Sequence, residues 1–471
     1  MIERNLLLDG AWLEGSSRAE VRSPWDGETV ARVAQATTAH ADRALRAARA
    51  ALPRLRAQPA GKRRETLFGI ARGLGRRGAE FVEVIVREAG KPRAAARVEL
   101  ARAIETFTLA ASELARYGGE IVPVDLAPGA ENTFCEVRRF ASGVVVGIVP
   151  FNFPLNLGAH KVAPALAVGA PIIIKPPPQA PSAQIMLAEL ALEAGADPAA
   201  LQVLPCDNSV AEALATDPRV RVVSFTGSAR VGWRLKASAR GKVVLELGGN
   251  AGAIVCADAD LDAAAERLAA GAFTYAGQVC IKAQRLVVEA PAYDAFVETF
   301  VQKVKALPAG DPGRDDVVVG PVIDDASAER IEAWVREALG RGARALCGGT
   351  REGRLFAPTV LAGVPRDTKA YGEEIFGPVA LVERAADFGA ALEAVNAGDY
   401  GLQAGLFTND LRKVRRAFAE LDVGGVVVND APSFRSDNMP YGGNKGSGLG
   451  REGVRYAMHE LSDERVLVLR P

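Results

Sequence analysis

The sequence predicts an α/β fold with two parallel-sheet domains. Between residues 144 and 247, short apolar stretches alternate with helical segments, and the same alternation begins again after residue 250. Strands that alternate with helices of this length indicate a parallel sheet with helices on both faces. An apolar content of 49% over 471 residues supplies side chains for two large cores without disulfides.

The N-terminal quarter is predicted as short strands followed by long helices. Residues 5–34 contain short stretches separated by glycine and proline turns, which indicates strands. Residues 38–117 have apolar residues every three to four positions, which predicts helices broken at 90–92 and ended by the glycines at 118–119. Residues 120–140 alternate around a Pro-Gly turn, so a protruding hairpin is expected.

The two sheets are predicted from the segments that follow. Strands of the first sheet are expected at 144–149, 171–175, 201–204, 220–225 and 243–247, with helices after Pro154, over 181–194 and between the later strands. Strands of the second are expected at 254–256, 285–289, 378–384, 404–407 and 425–428, with helices at 260–275, 291–305, 325–341, 387–396 and 410–420. A terminal strand is predicted over 461–469.

Composition argues against several classes of function. The 57 basic and 57 acidic residues cancel, so the chain lacks the positive charge expected of a general nucleic-acid binder. Neither a run of 18 apolar residues nor a secretion signal is visible, so no membrane segment is expected. Five cysteines without a CxxC pair and three scattered histidines argue against disulfides and a metal site, and indicate a cytoplasmic protein.

Cys280 is the strongest candidate for a nucleophile. A single cysteine is more often a small buried apolar residue, which we expect of Cys135, Cys206, Cys256 and Cys347. Cys280 differs because it follows a Gly-Gln turn between a predicted helix and a predicted strand. Thirty-four residues earlier, Glu246 opens a glycine-rich turn. A thiol and a separate base are what acyl-thioester chemistry requires.

Two further polar residues follow predicted strands of the first sheet. Lys175 ends an apolar strand, and the carboxyl ends of parallel strands border the crevice where ligands bind. Its position therefore favours a function over a solvated surface lysine. Asn152 lies between aromatic and proline residues, where its amide is a plausible oxyanion donor. By itself, an ordinary asparagine turn explains Asn152 better.

Three other motifs are compatible with nucleotide binding. Gly227-Ser228 follows a strand and opens a helix, which fits a phosphate site and an ordinary N-cap equally well. The dinucleotide fingerprint GxGxxG is not present there. Glu374 and Phe376 fit contacts to a ribose and a flat ring, but in isolation the motif is explained better by an exposed acid and a core phenylalanine. The glycine-dense loop 440–453 either cradles phosphate or is a close-packed connection.

Together these motifs resemble the aldehyde dehydrogenase superfamily. The segments PFNFP, FTGS, ELGGN, GQVC, EEIFGP and PYGGNKGSGLGRE occur in the family's order and spacing across essentially the whole chain. Each is weak alone, and the combination is highly specific. The resemblance implies a Rossmann-like cofactor-binding domain over 1–118 and 140–248, a catalytic domain over 249–445, and a small β oligomerisation flap over 119–139 and 455–471 of a homodimer or homotetramer.

The resemblance also implies an NAD(P)-dependent oxidation of an aldehyde to a carboxylic acid. Cys280 matches the nucleophile, which forms a thiohemiacetal and then a thioester. Asn152 matches the side-chain half of the oxyanion hole, with the backbone N–H of Cys280 as the other half. Glu246 matches the base that activates water for deacylation. The positions matched to cofactor binding are Pro150, Phe151, Lys175, Gly227, Ser228, Gly248, Glu374 and Phe376.

One departure concerns the cofactor. Many NAD-preferring members carry an acid three residues after the lysine, and Pro178 occupies that position here. Without that carboxylate, nothing repels a 2′-phosphate, so NADP is admissible beside NAD.

The substrate is expected to be a small polar aldehyde. The run 429–441 and the GQVC motif look like members that act on lactaldehyde, glyceraldehyde 3-phosphate, succinic semialdehyde or phosphonoacetaldehyde. Val279 is apolar where members that bind strongly anionic substrates often carry a cation, which favours a neutral or weakly anionic aldehyde. The candidate substrate contacts are Val279, Lys282, Arg435, His160 and Arg102.

Two alternative functions remain open. The first is an acylating dehydrogenase that transfers the acyl group to coenzyme A, against which Glu246 argues because such branches generally lack this base. The second is a catalytically silent member with a binding role, against which the joint presence of Cys280, Glu246, Asn152 and Lys175 argues.

Overall fold

Two large, mainly parallel sheets organise the chain, of which a computed structural model describes residues 2–470. None of the helices in the described part is long and apolar enough to cross a membrane. The N-terminal segment contains five short strands and four helices: β1 (Ile2–Arg4), β2 (Leu6–Leu8), β3 (Ala11–Leu13), β4 (Ser17–Arg22), β5 (Thr29–Gln35), α1 (Thr38–Ala57), α2 (Ala60–Arg76), α3 (Gly78–Ala89) and α4 (Arg93–Glu113).

The end of α4 differs from its prediction. The helix ends at Glu113, and the glycines at 118–119 do not cap it. Gly119 instead opens β6 (Gly119–Ile121), which pairs antiparallel with β7 (Phe134–Ala141). A Cβ at Gly119 would lie 2.2 Å from the carbonyl oxygen of Val137. The glycine is therefore required for the close approach of the two strands of the predicted hairpin.

The first large sheet contains the predicted βα units. Its elements are β8 (Val144–Ile148), α5 (Asn156–Val168), β9 (Ile172–Lys175), α6 (Ser182–Glu193), β10 (Leu201–Val203), α7 (Asn208–Thr216), β11 (Val220–Thr226), α8 (Ala229–Ser238) and β12 (Lys242–Glu246). These strands run parallel in the order β12-β11-β8-β9-β10, and β2 and β3 extend the edge next to β10. Ile172 and Ile174 face one core and Ile173 the other, which explains the continuous apolar sequence of β9.

The second large sheet follows directly. The elements of this region are β13 (Gly252–Val255), α9 (Leu261–Phe273), β14 (Arg285–Glu289), α10 (Tyr293–Lys305), α11 (Asp325–Gly340), β15 (Arg344–Cys347), β16 (Arg351–Glu352), β17 (Leu355–Phe356), β18 (Thr359–Ala362), α12 (Lys369–Gly372), β19 (Val379–Ala385), α13 (Phe388–Asn396), β20 (Tyr400–Gly401), β21 (Gln403–Phe407), α14 (Leu411–Glu420) and β22 (Gly425–Val428). β16 and β17 pair with each other outside the large sheet, and β20 also lies outside it. The strand order is β15-β18-β19-β14-β13-β21-β22, and only β15 is antiparallel to its neighbour.

Five strands of this region, β15 to β18 and β20, and the short helix α12 were not predicted. β16 and β17 have two residues each, and β15 is an exposed or half-buried edge strand without alternation. Such short segments carry no readable period. The predicted strands and helices on either side are present.

The C-terminal segment returns to the first sheet. It contains β23 (Asn444–Lys445), β24 (Gly448–Leu449), α15 (Val454–Glu460) and β25 (Ser462–Leu469). β24 pairs antiparallel with β12, so that Gly448 lies opposite Glu246. β25 pairs with β7 and forms a three-stranded antiparallel sheet with β7 and β6. The predicted fold class, two α/β units plus a small β flap, is confirmed.

Candidate active site

Cys280 follows a tight turn that needs unusual backbone angles. A 3-10 helix over Thr274–Gly277 succeeds α9, and Tyr275, Ala276 and Gly277 have φ values of 55°, 53° and 64°. A Cβ at Gly277 would lie 2.5 Å from the carbonyl oxygen of Gly377, so only glycine fits there. Left-handed angles at non-glycine residues cost free energy and persist where the surroundings enforce them.

Hydrogen bonds hold this turn in place. The side-chain carbonyl of Gln278 accepts a bond of 2.9 Å from the N–H of Ile323, and its amide donates to the carbonyl oxygen of Pro321 at 3.3 Å. The hydroxyl of Tyr275 donates to the carbonyl oxygen of Ala89 at 2.9 Å. The thiol two residues after Gln278 is therefore presented by a backbone that is fixed on several sides.

The Cys280 thiol contacts a phenol and lies near a carboxyl group. Its Sγ is 3.0 Å from the hydroxyl oxygen of Tyr441. Burial, and then the negative charge of Glu246, raise the pKa of the thiol well above its usual value, whereas the Tyr441 hydroxyl lowers it. The thiol is therefore protonated at rest, and its use as a nucleophile requires a group that removes the proton.

Glu246 supplies a buried carboxyl group beside the thiol. It ends β12 and is 2% exposed, with its Oε1 3.5 Å from the hydroxyl of Tyr441. Burial, and then the nearby charge of Glu452, raise its pKa to about 7. A carboxyl group with a pKa near neutrality is matched to general base catalysis at neutral pH.

Asn152 lies beyond the end of β8 and faces the turn that leads to Cys280, which we call the nucleophile turn after the role predicted for this cysteine. It is 4% exposed, and its side-chain amide donates a bond of 3.0 Å to the carbonyl oxygen of Gln278. An asparagine amide has two N–H groups, so one remains for a ligand. Cys280, Glu246 and Asn152 are thus brought together by the ends of strands from one sheet and a turn from the other.

All three residues line one cleft of about 610 Å³. Seven of the eight predicted cofactor residues line it too: Pro150, Phe151, Gly227, Ser228, Gly248, Glu374 and Phe376. The rings of Phe151 and Phe376 meet edge to face, with centroids 5.9 Å apart. A cleft of this size exceeds what a small aldehyde fills and suits a cofactor-sized ligand.

The cleft offers the groups that a dinucleotide needs. Ser228 is the N-cap of α8, yet its side chain makes no capping bond within the described chain, so the helix N-terminus faces the cleft with unpaired N–H groups. Lys175 does not line the cleft but pairs in register with Ile148, two residues before Pro150, and lies at the same sheet edge. It is 5% exposed, and burial lowers its pKa.

Glu374 is placed to accept hydrogen bonds from a sugar. Its Oε1 accepts a bond of 3.1 Å from the N–H of Gly249, which follows the cleft residue Gly248. Burial raises its pKa to about 8, against the effect of that bond. Phe376 stands beside it with a φ of 47°, again a left-handed angle at a residue of the site. The residues present therefore fit a nicotinamide dinucleotide.

The sequence and the fold both match known proteins. Residues 12–467 match the model of the aldehyde dehydrogenase family. The chain belongs to the aldehyde dehydrogenase family. It is 41% identical to 3-sulfolactaldehyde dehydrogenase of Priestia aryabhattai, over 98% of this chain and 97% of that protein. The predicted family and enzyme class, an NAD(P)-dependent aldehyde dehydrogenase, are thus confirmed.

Two solved structures show the same fold. Aldehyde dehydrogenase 21 from Physcomitrella patens, in complex with the reaction product succinate, superposes with a TM-score of 0.97 at 41% identity, over 99% of this chain and 98% of that one. Glyceraldehyde-3-phosphate dehydrogenase from Methanocaldococcus jannaschii, complexed with NADP, superposes with a TM-score of 0.93 at 37% identity, over 96% of this chain and 99% of that one.

In this aldehyde dehydrogenase, two of the predicted substrate contacts share a carboxylate. Arg102 donates two bonds to Asp437, at 3.1 Å and 2.7 Å, and His160 Nε2 lies 2.8 Å from the same side chain. Burial opposes ionisation of Asp437, but His160 and Arg102 lower its pKa overall. Arg102 and His160 are therefore brought together, but both bind the buried carboxylate of Asp437.

The other three candidates lie around Cys280 without lining the cofactor cleft. Arg435 pairs with Glu452 at 3.1 Å, and its guanidinium lies 3.8 Å from the ring centroid of Tyr441. Val279 packs against the cluster of Tyr441, Ile281 and Leu402, as does Cys280. Lys282 is buried, and its ammonium donates to the carbonyl oxygens of Gly377 and Val379 at 2.6 Å and 2.8 Å, which fixes the nucleophile turn.

Sequence reasoning missed several residues of the site. Tyr441 was visible only as part of a glycine-dense loop, yet it contacts both the thiol of Cys280 and the carboxyl group of Glu246. Lys161 and Glu452 form a buried ion pair at 3.1 Å behind it. The remaining lining residues that were not predicted are Thr226, Ala229, Arg230, Leu247, Arg330, Trp334, Glu373 and Tyr400. A polar aromatic residue among glycines is the one signal that singles out Tyr441.

Proposed function

We propose that this enzyme oxidises an aldehyde to a free carboxylic acid through a thioester on Cys280. The observation that carries the proposal is that Cys280, Glu246 and Asn152 line the same cleft as seven predicted cofactor residues. A nucleophile, a base and an oxyanion donor within one site are the parts that this chemistry needs.

In the proposed mechanism, deprotonated Cys280 attacks the aldehyde carbon and forms a thiohemiacetal. The free amide hydrogen of Asn152 and the backbone N–H of Cys280 stabilise the resulting oxyanion. NAD(P)⁺, when bound, supplies the acceptor for the hydride that leaves this carbon, which becomes a thioester. Glu246 then removes a proton from water as the water attacks the thioester, and the C–S bond breaks to release the acid.

Glu246 favours hydrolysis over transfer to coenzyme A. Its carboxyl group is buried next to the thiol with a pKa of about 7, so both its protonated and its ionised forms are populated at neutral pH. Addition of coenzyme A to the reaction should leave the product as the free acid. Accumulation of acyl-coenzyme A would favour the acylating alternative.

We propose that NADP is accepted. Pro178 is exposed and uncharged, so it supplies no carboxylate at the position where many NAD-preferring members carry an acid. The relative from Methanocaldococcus jannaschii carries NADP, which supports the same assignment.

The proposed substrates are small polar aldehydes. Two relatives are named for sulfolactaldehyde and glyceraldehyde 3-phosphate, and a third is in complex with succinate. These three compounds are short, polar carbon chains. Val279 favours a neutral or weakly anionic aldehyde, because it adds no cation next to Cys280. The test is a screen of small aldehydes with both cofactors, in wild type and in Cys280→Ala. Aldehyde oxidation that persists in Cys280→Ala would refute the cysteine mechanism.

We also propose that the protein forms a homodimer or homotetramer, assembled through the flap. The domain boundaries and the cytoplasmic location given above stay predictions. β25 is exposed along most of its length, including the apolar side chains of Val466, Leu467, Val468 and Leu469, at 49 to 63% exposure. An apolar strand at a sheet edge is suited to pairing with a second copy. Light scattering of the purified protein tests this assembly.

A further inference from the structure

Tyr441 lies between the nucleophile and the base. Its hydroxyl oxygen is 3.0 Å from Cys280 Sγ and 3.5 Å from Glu246 Oε1, and the side chain is 2% exposed. A phenol has one hydrogen to donate and lone pairs that accept. We infer that Tyr441 is a further catalytic residue, which passes the thiol proton toward Glu246 and then stabilises the Cys280 thiolate by a hydrogen bond. The inference rests on the proposed cysteine mechanism.

The ring of Tyr441 is held from several sides. The guanidinium of Arg435 lies 3.8 Å from the ring centroid and is itself fixed by Glu452 at 3.1 Å. The backbone of Tyr441 exchanges two hydrogen bonds with that of Glu452, at 3.0 Å and 2.6 Å. The side chains of Ile281 and Leu402 pack against it. The hydroxyl therefore has one position, and that position is within reach of the sulfur.

The phenol keeps its proton at neutral pH. Burial, and then the negative charges of Cys280 and Glu246, raise the pKa of Tyr441 well above its usual value of 10, against the effect of Arg435. Cys280, Glu246 and Arg435 are the charged and titratable groups next to Tyr441. Glu452 pairs with Arg435, and Lys161 pairs with Glu452. A neutral phenol beside a thiolate acts as a hydrogen-bond donor, which is the role proposed here.

The proton transfer balances without any further reactant. The S–H proton of Cys280 moves to the hydroxyl oxygen of Tyr441 while the O–H proton of Tyr441 moves to Oε1 of Glu246. The products are a thiolate, a neutral phenol and a neutral carboxylic acid. Once Glu246 is protonated, the phenol proton remains on Tyr441 and donates to the thiolate. Glu246 then releases its proton to solvent and is ionised again before it acts as the base in deacylation. A phenylalanine at position 441 could do neither.

The test is the rate at which iodoacetamide alkylates Cys280 in Tyr441→Phe, measured over a range of pH. A hydrogen bond to a charged group, when lost, should lower the rate at pH 7 by about 10- to 100-fold. At high pH, where the thiol ionises in any case, the two rates should converge. Peptide mass mapping confines the measurement to Cys280.

Tyr371→Phe is the matched control. Tyr371 is also buried, its hydroxyl donates to Glu383 at 2.8 Å, and Arg285 lies 5.3 Å from its ring centroid. Its substitution removes a comparable phenolic bond away from the thiol, so it should leave the alkylation profile of Cys280 unchanged. Equal profiles for wild type and Tyr441→Phe would overturn the inference, as would a loss that is the same at every pH.

Cys280→Ala separates this inference from the proposed function. Retained aldehyde oxidation in Cys280→Ala would refute the cysteine mechanism itself. Loss of oxidation in that variant, together with an unchanged alkylation profile in Tyr441→Phe, would refute only the role of Tyr441. If Tyr441→Phe does not fold, 3-fluorotyrosine at position 441 provides a more acidic donor. It should increase alkylation at pH 7, and an unchanged rate would contradict the inference.

Discussion

The side-chain amide of Asn152 donates a hydrogen bond of 3.0 Å to the carbonyl oxygen of Gln278, two residues before Cys280. This bond joins the end of a strand in the first sheet to the nucleophile turn of the second. It fixes the distance between the proposed oxyanion donor and the thiol, and it leaves one amide hydrogen for the substrate.

Asn152→Ala should therefore reduce kcat by about 100- to 1000-fold, because it removes one oxyanion donor. Cofactor binding, measured by fluorescence titration, should be retained. Asn409→Ala, at an exposed position away from the cleft, is the control and should match wild type. Wild-type kcat in Asn152→Ala would show that the amide does not stabilise the oxyanion.

Glu246→Gln should separate the two halves of the reaction. The amide can accept a proton neither from water nor, through Tyr441, from the thiol. The thioester should therefore form more slowly than in wild type, as the thiol proton leaves to solvent, and should then persist. Stopped-flow absorbance should show a single burst of reduced cofactor, close to one per site, without steady turnover. Glu266→Gln, an exposed substitution, should behave as wild type. Sustained turnover in Glu246→Gln would contradict the role of the base.

The pH dependence of kcat should follow the ionisation of Glu246. The base is active when ionised, and burial raises its pKa to about 7. Where deacylation limits the rate, kcat should rise as the pH increases through about 7 and should be lost as the pH falls below it. Steady-state rates measured across this pH range test whether kcat rises with pH. A kcat that stays constant down to pH 5 would mean that no group with this pKa limits turnover.

Pro178→Glu should shift the cofactor preference from NADP toward NAD. A carboxylate there would repel the 2′-phosphate of NADP, and a loss of about 1.4 kcal/mol corresponds to a tenfold higher KM. The KM for NAD should change little. Pro178→Gln has a similar shape without the charge and serves as the control. An equal rise in the KM for NADP with both substitutions would show that charge repulsion does not explain the change.

The parts of the site that follow from the sequence are those set by local motifs at strand ends. Asn152, Lys175 and Glu246 each follow a recognisable apolar strand, and parallel strands bring such ends to one edge. Tyr441 could not be placed in this way. It reaches the thiol because the C-terminal chain returns and β24 pairs with β12, a contact between residues about two hundred positions apart.

Polar residues near the motifs were harder to interpret. Lys282 lies two residues after the nucleophile, which favours a substrate contact, but its ammonium is held by two backbone carbonyls. Arg102 and His160 both bind Asp437, which is more than two hundred and seventy residues further along the chain. A sequence shows which side chains carry charge but not which distant partner neutralises them.

The central claim is that the acyl group is carried on Cys280. The most direct measurement is peptide mass mapping of Glu246→Gln after it is mixed with NADP⁺ and an aldehyde that the wild-type enzyme oxidises. We predict that the peptide containing Cys280 gains the mass of the acyl group, and that the adduct requires both aldehyde and cofactor. A burst of reduced cofactor with Cys280 unmodified, or with the adduct on another residue, would contradict this account.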